Sequence, residues 1–438
     1  MNEYNTNIAN IDYHPLLESL YEEMHSRPYQ VIDCPANITH FVVLSNELEK
    51  AEQFAHIQTL FAAFGQSVPA EDQINLQFET DTFKVRREVH IEFSAFTFTN
   101  LAVNEDDQPF ERTGLSPLPH GWIESLPGTV MANFHLALQC IDENDPLLLS
   151  NAKKYFEGYR LVGSSPQNGD ARVWTSFKLH SDGCGRFLIG NAHMSPSQIG
   201  RLTQRLIEIE TYRILTLLAL PIARENTSVL TKMDSKLALL TTQLAGDSNV
   251  SEHSILSDLT EMAAQIEAVR TQTAFRYNAT FAYYELVLKR LNELREDEVS
   301  GHLSLTEFIT RRLTPAVNTC KSGSDRLENL SLRIDRVSDM MRTKVELLIQ
   351  EQNQMLLTSM DRRSRIQLKM QHTVEGLSVV AISYYSIGLV KYLIDSSELV
   401  NLPLDKPQLV GLSVPLIIAS VWYLTRRVHR RFEKMDIE

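Results

Sequence analysis

Two apolar stretches near the end of the chain decide its architecture: Gly376-Leu-Ser-Val-Val-Ala-Ile-Ser-Tyr-Tyr-Ser-Ile-Gly-Leu-Val390 and Leu409-Val-Gly-Leu-Ser-Val-Pro-Leu-Ile-Ile-Ala-Ser-Val-Trp-Tyr-Leu-Thr425. Neither stretch contains a charged residue. A helix of about 20 apolar residues crosses the ~30 Å hydrocarbon layer of a membrane, and each stretch reaches this length together with its flanks. We therefore predict a transmembrane helical hairpin over residues 374–425, with a buried hairpin of a soluble domain as the alternative.

The charges that flank the two stretches predict their orientation. Basic residues precede the first stretch and follow the second, whereas the connection at 395–408 is mainly acidic. Lysine and arginine are enriched on the cytoplasmic side of membrane proteins, so both termini are expected in the cytoplasm. The basic residues are Arg362, Arg363, Arg365, Lys369, Arg426, Arg427, Arg430, Arg431 and Lys434.

The first stretch and its borders contain small and polar residues in addition to apolar ones. Small and polar residues at its borders and centre favour packing between helices, because small side chains let helices approach and polar ones form hydrogen bonds in lipid. We predict that this span assembles an oligomer, and its tyrosines could alternatively line a pore. The positions concerned are Glu375, Gly376, Tyr384, Tyr385, Gly388 and Lys391.

Composition limits the remaining function classes. The chain has 438 residues, 43% hydrophobic and 22% charged, which is typical of a folded globular protein with two or three domains. Its net charge of −13 argues against a general nucleic-acid binder. The four cysteines are scattered, and we expect reduced thiols in a cytosolic region.

Alternating apolar residues predict strands in the first half of the chain, joined by short turns. We predict strands over 38–44, 76–80, 83–98 and 130–141, and a hairpin that turns at 181–183. Helical periodicity marks 47–64, and Ser195-Pro196 begins another helix. The fold class is therefore α+β, a mainly antiparallel sheet with helices, in a cytoplasmic domain over 1–223.

Beyond residue 224 the pattern is helical. We predict a long-helix stalk with coiled-coil character over 224–373, followed by the hairpin and a basic tail over 426–438. Leu327, Ile334, Met341, Leu348 and Met355 lie seven residues apart, which indicates a supercoiled helix. Its partner could be the helix near 253–295 of the same chain or a second copy, and we expect both contacts.

Four polar residues form the candidate site: His25, Arg27, His90 and Glu92. His90 and Glu92 would share one face of a strand, where side chains repeat every two residues. With the other two nearby, the cluster could bind an anion or perform acid–base chemistry. A buried polar network is the competing interpretation, and no catalytic residue is assigned.

A second polar group offers only a weak candidate for a metal site. His180, Asp182, Cys184 and His193 lie close together, but their spacing is that of a hairpin turn and not of a standard zinc site. No metal and no cofactor is predicted.

Several motifs resemble a bacterial family of predicted membrane-anchored proteins of unknown function. They are His14-Pro15-Leu16, His25-x-Arg27-Pro28, Arg87-Glu88-x-His90-x-Glu92-Phe93-Ser94, Leu348-Ile349-Gln350-Glu351-Gln352-Asn353-Gln354, Ser359-Met360-Asp361-Arg362-Arg363 and Val374-Glu375-Gly376-Leu377-Ser378 with its continuation to Tyr385. The resemblance covers nearly the whole chain. It implies a cytoplasmic domain with a C-terminal hairpin in the bacterial inner membrane, and it supplies no reaction.

The predicted architecture is also similar to that of CorA-type magnesium channels, which place an α/β domain before long helices and two C-terminal spans. Their Gly-Met-Asn motif after the first span is missing, and Lys391-Tyr-Leu-Ile-Asp395 stands in its place. This difference puts magnesium selectivity in doubt.

The sequence therefore favours a membrane-anchored, oligomeric and non-enzymatic protein that acts as a binding, scaffold or sensing module. Its expected partners are the lipid bilayer and further copies of the chain, through the stalk and the first span. A CorA-like channel or transporter subunit, and an enzyme that uses the His/Arg/Glu cluster, are the alternatives.

Overall fold

The computed structural model describes residues 14–17, 20–21, 29–104, 107–141, 152–246, 251–396 and 406–435, without the side chains of 406 and 428–435. The chain divides into two compact units, Met1–Val337 and Ser338–Glu438. The predicted boundaries at 223/224 and 373/374 stay predictions.

A nine-stranded sheet forms the centre of the first unit. Its strand order is β2-β3-β4-β1-β5-β8-β7-β6-β9, and only the β5–β8 pair is parallel among the described strands. The mainly antiparallel α+β fold predicted from the sequence is thus confirmed. The strands are β1 (Ala36–Leu44), β2 (Asn75–Glu79), β3 (Phe83–Val89), β4 (Phe93–Asn100), β5 (Thr129–Cys140), β6 (Val162–Pro166), β7 (Ala171–Thr175), β8 (Gly185–Asn191) and β9 (Glu296–Glu298).

Helices cover both faces of this sheet, which explains why consecutive residues of the central strands β1, β3 and β4 are buried. Helix α1 (Glu47–Ala63) packs on Phe41 and Val43 of β1 and on the same face of β4. On the other face, α2 (Pro196–Leu217) and α4 (Glu252–Leu294) bury Ile38 with residues of β5. Burial of apolar area on both faces supplies the main stabilisation of the unit.

Helix α2 begins where the sequence predicts. Ser195 precedes Pro196, and the Ser195 backbone N–H donates to Gln198 Oε1 at 2.9 Å. Helix α3 (Ala219–Ala245) follows almost directly, with Pro221 in its first turn. A proline has no N–H to continue the preceding helix, so the α2–α3 junction lies at this point.

The last two described helices contain the apolar stretches. Helix α5 (Leu305–Ser396) is continuous over 92 residues, and α6 (Lys406–Met435) has 30. Each contains a window of mean hydropathy 1.6 that is long enough to cross a membrane, and only 6% of each window is buried. By length and composition, both helices could cross a membrane.

The predicted strand over 83–98 is wrong: it is a hairpin. Strands β3 and β4 pair antiparallel, and the His90 N–H donates to the Phe93 carbonyl at 2.8 Å across the turn. His90 and Glu92 therefore lie in a turn and not on one strand face. Apolar residues recur on both sides of this turn, and it contains neither glycine nor proline, so no local signal marked it.

The expectation of four reduced thiols is also wrong. Cys34 and Cys140 form a disulfide, with their Cα atoms 5.9 Å apart, while Cys184 and Cys320 are buried and free. Antiparallel pairing of β1 and β5 brings Ala36 opposite Leu138 and so places the two cysteines together. Their separation of 106 residues gave no local signal.

Candidate functional site

The structure does not bring the four predicted site residues into one described cluster. His25 and Arg27 lie outside the described residues. His90 stacks on Phe93 with ring centroids 4.2 Å apart and faces a cavity. Glu92, two residues later, contacts α4 instead.

Glu92 holds the β3–β4 turn against helix α4. Its carboxylate accepts hydrogen bonds from Arg276 Nη2 and from the Tyr283 hydroxyl, each at 2.5 Å. The Glu92 side chain is only 10% exposed, so the ion pair with Arg276 is largely desolvated. Burial, together with the bond to Glu92 and its charge, raises the pKa of Tyr283. This arrangement fixes the turn that carries His90.

A cavity of about 480 Å³ lies between the sheet and helices α2 and α4. Its apolar walls are Phe93, Ala95, Ile207, Tyr212 and Leu286, and polar side chains surround them. Cavities of a few hundred cubic ångströms with a few polar groups are typical of small-molecule sites. The polar lining is Tyr29, His40, Glu88, His90, Arg201, Gln204, Arg205, Glu208, Thr211, Arg290 and Glu293.

His40 lies at the inner end of the polar lining. Its Nδ1 is 2.9 Å from Thr97 Oγ1, and its Nε2 is 3.4 Å from Thr211 Oγ1. Burial, with the charges of His90 and Arg86, lowers the pKa of His40 to about 3. The imidazole is therefore neutral at pH 7 and offers one donor and one acceptor nitrogen.

Acid is expected to destabilise the protein through His40. Below pH 6.5 the unfolded chain takes up a proton at this imidazole, whereas the folded chain does so only near pH 3. Stability that is present above pH 6.5 is therefore lost as the pH falls, by about 2 kcal/mol at pH 5. Denaturant unfolding at pH 7 and pH 5 should show a larger loss for the wild type than for His40→Gln. Equal losses in the two proteins would contradict this assignment.

A ladder of opposite charges closes one side of the cavity where α2 and α4 pack. Arg205 Nε lies 3.5 Å from Glu293, and Arg290 Nη1 lies 2.8 Å from the same carboxylate. Arg290 also pairs closely with Glu208. Each of these side chains is partly exposed, so the ion pairs contribute little to the stability of the fold. Their main effect is to orient the side chains at the edge of the cavity.

Sequence reasoning missed most of this site. Its residues come from strands β1, β3 and β4 and from two helices more than 100 residues away. Two local signals existed. The first is that His40 interrupts the apolar run 38–44, and a polar residue that points into the core needs a hydrogen-bond partner. A second was the Arg201/Arg205 pair, four residues apart on one helix face.

Three members of the other polar group of the sequence, His180, Asp182 and Cys184, belong to a partly exposed network around the β7–β8 connection. His180 lies 3.1 Å from Ser176 Oγ and 3.6 Å from Glu157 Oε2, whereas Asp182 pairs with Arg186 at 2.7 Å. Burial raises the pKa of Cys184 to about 11, which keeps it a thiol. Within the described ranges, no group of three or more histidine, cysteine, aspartate or glutamate side chains could hold a metal ion.

The predicted packing positions of the first apolar stretch lie in the second unit. Tyr384 and Tyr385 are largely exposed, with ring centroids 5.9 Å apart, and Lys391 is exposed. Gly376 and Gly388 have open space where a Cβ would lie. Glu375 lies 3.4 Å from His372. Their role between helices stays a prediction.

Comparisons with known proteins give one extensive match. Residues 12–432 match the model of a family described as protein of unknown function, DUF3422. No curated protein is significantly similar to the chain. Among solved structures, the full-length CmaX protein is 12% identical, over 82% of this chain and 100% of that one, with a TM-score of 0.18. That score supports no argument about the fold.

Proposed function

The chain belongs to the DUF3422 family, and we propose that it is a membrane-anchored, oligomeric protein that binds a small molecule on the cytoplasmic side. The observation that carries this proposal is the 480 Å³ cavity of the first unit, in a chain whose last two described helices are apolar enough to cross a membrane. The proposed role is binding or sensing and includes no chemical step.

The cavity supports a binding role because its lining is prepared for a ligand. Gln204 and the Thr211 hydroxyl offer hydrogen bonds, while Phe93 and Tyr212 provide apolar contact. The Glu92 ion pair with Arg276 holds the adjacent turn in place. A rigid pocket loses little conformational entropy when it binds, which favours affinity.

The exposed residues of the second unit support anchoring. Apolar side chains of the two predicted spans, among them Leu377, Val380, Leu389 and Leu416, are more than half exposed. Apolar surface of this extent is unfavourable in water and favourable in lipid. Arg426 and Arg427 directly follow the second span and favour a cytoplasmic C-terminus.

Exposed apolar residues before the first span support oligomerisation. Leu347, Met355, Leu356 and Met360 of helix α5 are each more than half exposed, in a part of the helix outside the predicted spans. A second copy that packs along this segment would bury them, as in a coiled coil.

Membrane fractionation tests the proposal. The full chain should sediment with membranes, resist high salt and alkaline washes, and enter solution only with detergent. Arginine at the span positions Ile382 and Ile418 together should make the protein extractable, because each arginine costs about 3 kcal/mol at a span centre. Arginine at the exposed positions Leu357 and Met360 is the matched control and should leave it in the membrane.

The mass of the detergent-solubilised protein tests assembly. After subtraction of bound detergent, the mass should be two or more times the 49.9 kDa of one chain. A mass of one chain would contradict the oligomer and leave the anchoring intact. Release of the wild type by salt alone would contradict the anchoring.

A further inference from the structure

A smaller recess of about 200 Å³ adjoins the cavity on the side of the charge ladder. It shares Arg201, Arg205 and Glu293 with the larger cavity. Its other lining residues are Gln167, Gln198 and Arg295. The two spaces are therefore contiguous, and a ligand could occupy both.

Positive charge dominates the recess. Three arginines and one glutamate line it, and the carboxylate of that glutamate, Glu293, already pairs with Arg205 and Arg290. Within the described part of the chain, no carboxylate forms an ion pair with Arg201 or Arg295. Arg201 instead lies over the Tyr29 ring, 5.1 Å from its centroid. Guanidinium groups gathered in a small recess attract an anion and can bind its oxygens in pairs.

The backbone at Arg295 gives a second, independent indication. This residue ends helix α4 with φ 49° and ψ 54°, the left-handed conformation that usually selects glycine at this position. The carbonyls of Glu293 and Leu294 at this helix end accept hydrogen bonds from the Gln167 side-chain amide. Strained conformations of this kind concentrate at functional sites.

We propose that the recess binds the phosphate or carboxylate group of a small organic anion. Arg201, Arg205 and Arg295 hold the charged group, and the uncharged body of the ligand lies in the larger cavity beside His40. This inference rests on the proposed binding role of the cavity and specifies the class of ligand.

Titration calorimetry of the full chain in detergent tests the assignment, with inorganic phosphate and acetate as probes and chloride at equal ionic strength as reference. Phosphate or acetate should bind the wild type, and the one that binds identifies the group. Arg201→Gln and Arg295→Gln should each weaken binding about tenfold or more, the usual effect of removing a charged hydrogen bond. Arg311→Gln, which alters an exposed arginine of α5, should leave it unchanged.

Arg295→Gly separates binding from folding. Glycine adopts the left-handed conformation without strain, so this variant should unfold at the same temperature as the wild type or higher, yet bind the anion at least tenfold more weakly. Equal affinity in the wild type and all arginine variants would overturn the proposal, as would the absence of any phosphate or acetate binding beyond that of chloride.

Native mass spectrometry distinguishes this failure from failure of the binding role itself. Ala95 is buried and lines the larger cavity, so Ala95→Phe fills part of it. A neutral compound that is bound to the purified wild type and lost in Ala95→Phe would overturn the anion assignment and keep the binding role. An anion that is bound by the wild type and lost in Arg201→Gln supports both.

Discussion

Replacing Gly200 with alanine is expected to destabilise the first unit by about 3 kcal/mol or more, at the upper end of overpacking costs. A Cβ at this position would lie 1.7 Å from the Gln30 carbonyl oxygen, and 2.9 Å from its carbon. Because the obstacle is backbone, no rotamer change can relieve the contact. Either helix α2 or the segment at Gln30 must move.

The displaced segment also forms part of the binding site. The Ile32 N–H donates to the Pro196 carbonyl at 3.3 Å, and Tyr29 lies against Arg201. We therefore expect Gly200→Ala to lower the melting temperature by several degrees and to weaken anion binding as well. Cleavage by protease near residue 30 should become faster.

Gly246→Ala is the matched control, because it lies in the same unit and outside the proposed sites. A Cβ at Gly246 would lie 3.6 Å from the Thr242 carbonyl oxygen, an ordinary contact. This variant should be unchanged or slightly more stable. A Gly200→Ala protein with wild-type stability would show that the chain does not pass over α2 at Gln30.

Strands that pack against helices on both faces could be predicted from the sequence, because they contain many apolar residues. Strand β1 could be recognised because Ile38 and Val42 face α2 and α4, while Phe41 and Val43 face α1. Strand β9 could not be recognised, because Glu-Asp-Glu has no apolar residue. It forms by pairing with β6, and Glu296 accepts hydrogen bonds from the Leu305 and Thr306 backbone at the start of α5. Long-range contacts alone specify such an element.

The family was also predicted from sequence motifs and is confirmed over residues 12–432. The site was harder to predict because its geometry depends on packing between distant segments. His90 was among the candidate residues and lines the cavity, but many of its neighbours there come from α2 and α4. Glu92 was expected beside His90, and the turn directs it toward Arg276 instead. A one-dimensional pattern cannot show which side of a turn a side chain occupies.

Replacing Glu92 with alanine is expected to cost about 3 kcal/mol or more. Removing one partner of a buried pair leaves the other charge uncompensated, and such changes cost about 3–5 kcal/mol. Arg276 keeps 20% exposure, which favours the lower end of that range, and its Nη1 is already buried without a hydrogen-bond partner. Glu307→Ala is the control: its pair with Arg311 at 3.0 Å is exposed, so its loss should cost less than about 1 kcal/mol.

The loss of folding stability at alkaline pH tests the hydrogen bond between Tyr283 and Glu92. Its raised pKa means that the folded chain keeps the phenolic proton after the unfolded chain has lost it, so stability falls as the pH rises above about 10. Tyr283→Phe should remove this part of the fall. Glu92→Ala should reduce it without abolishing it, because burial is the larger cause of the shift and remains after the carboxylate is gone. If Glu92→Ala and the wild type lose stability equally between pH 9 and pH 11, Glu92 does not accept the Tyr283 hydroxyl, and the turn that carries His90 is held by other contacts.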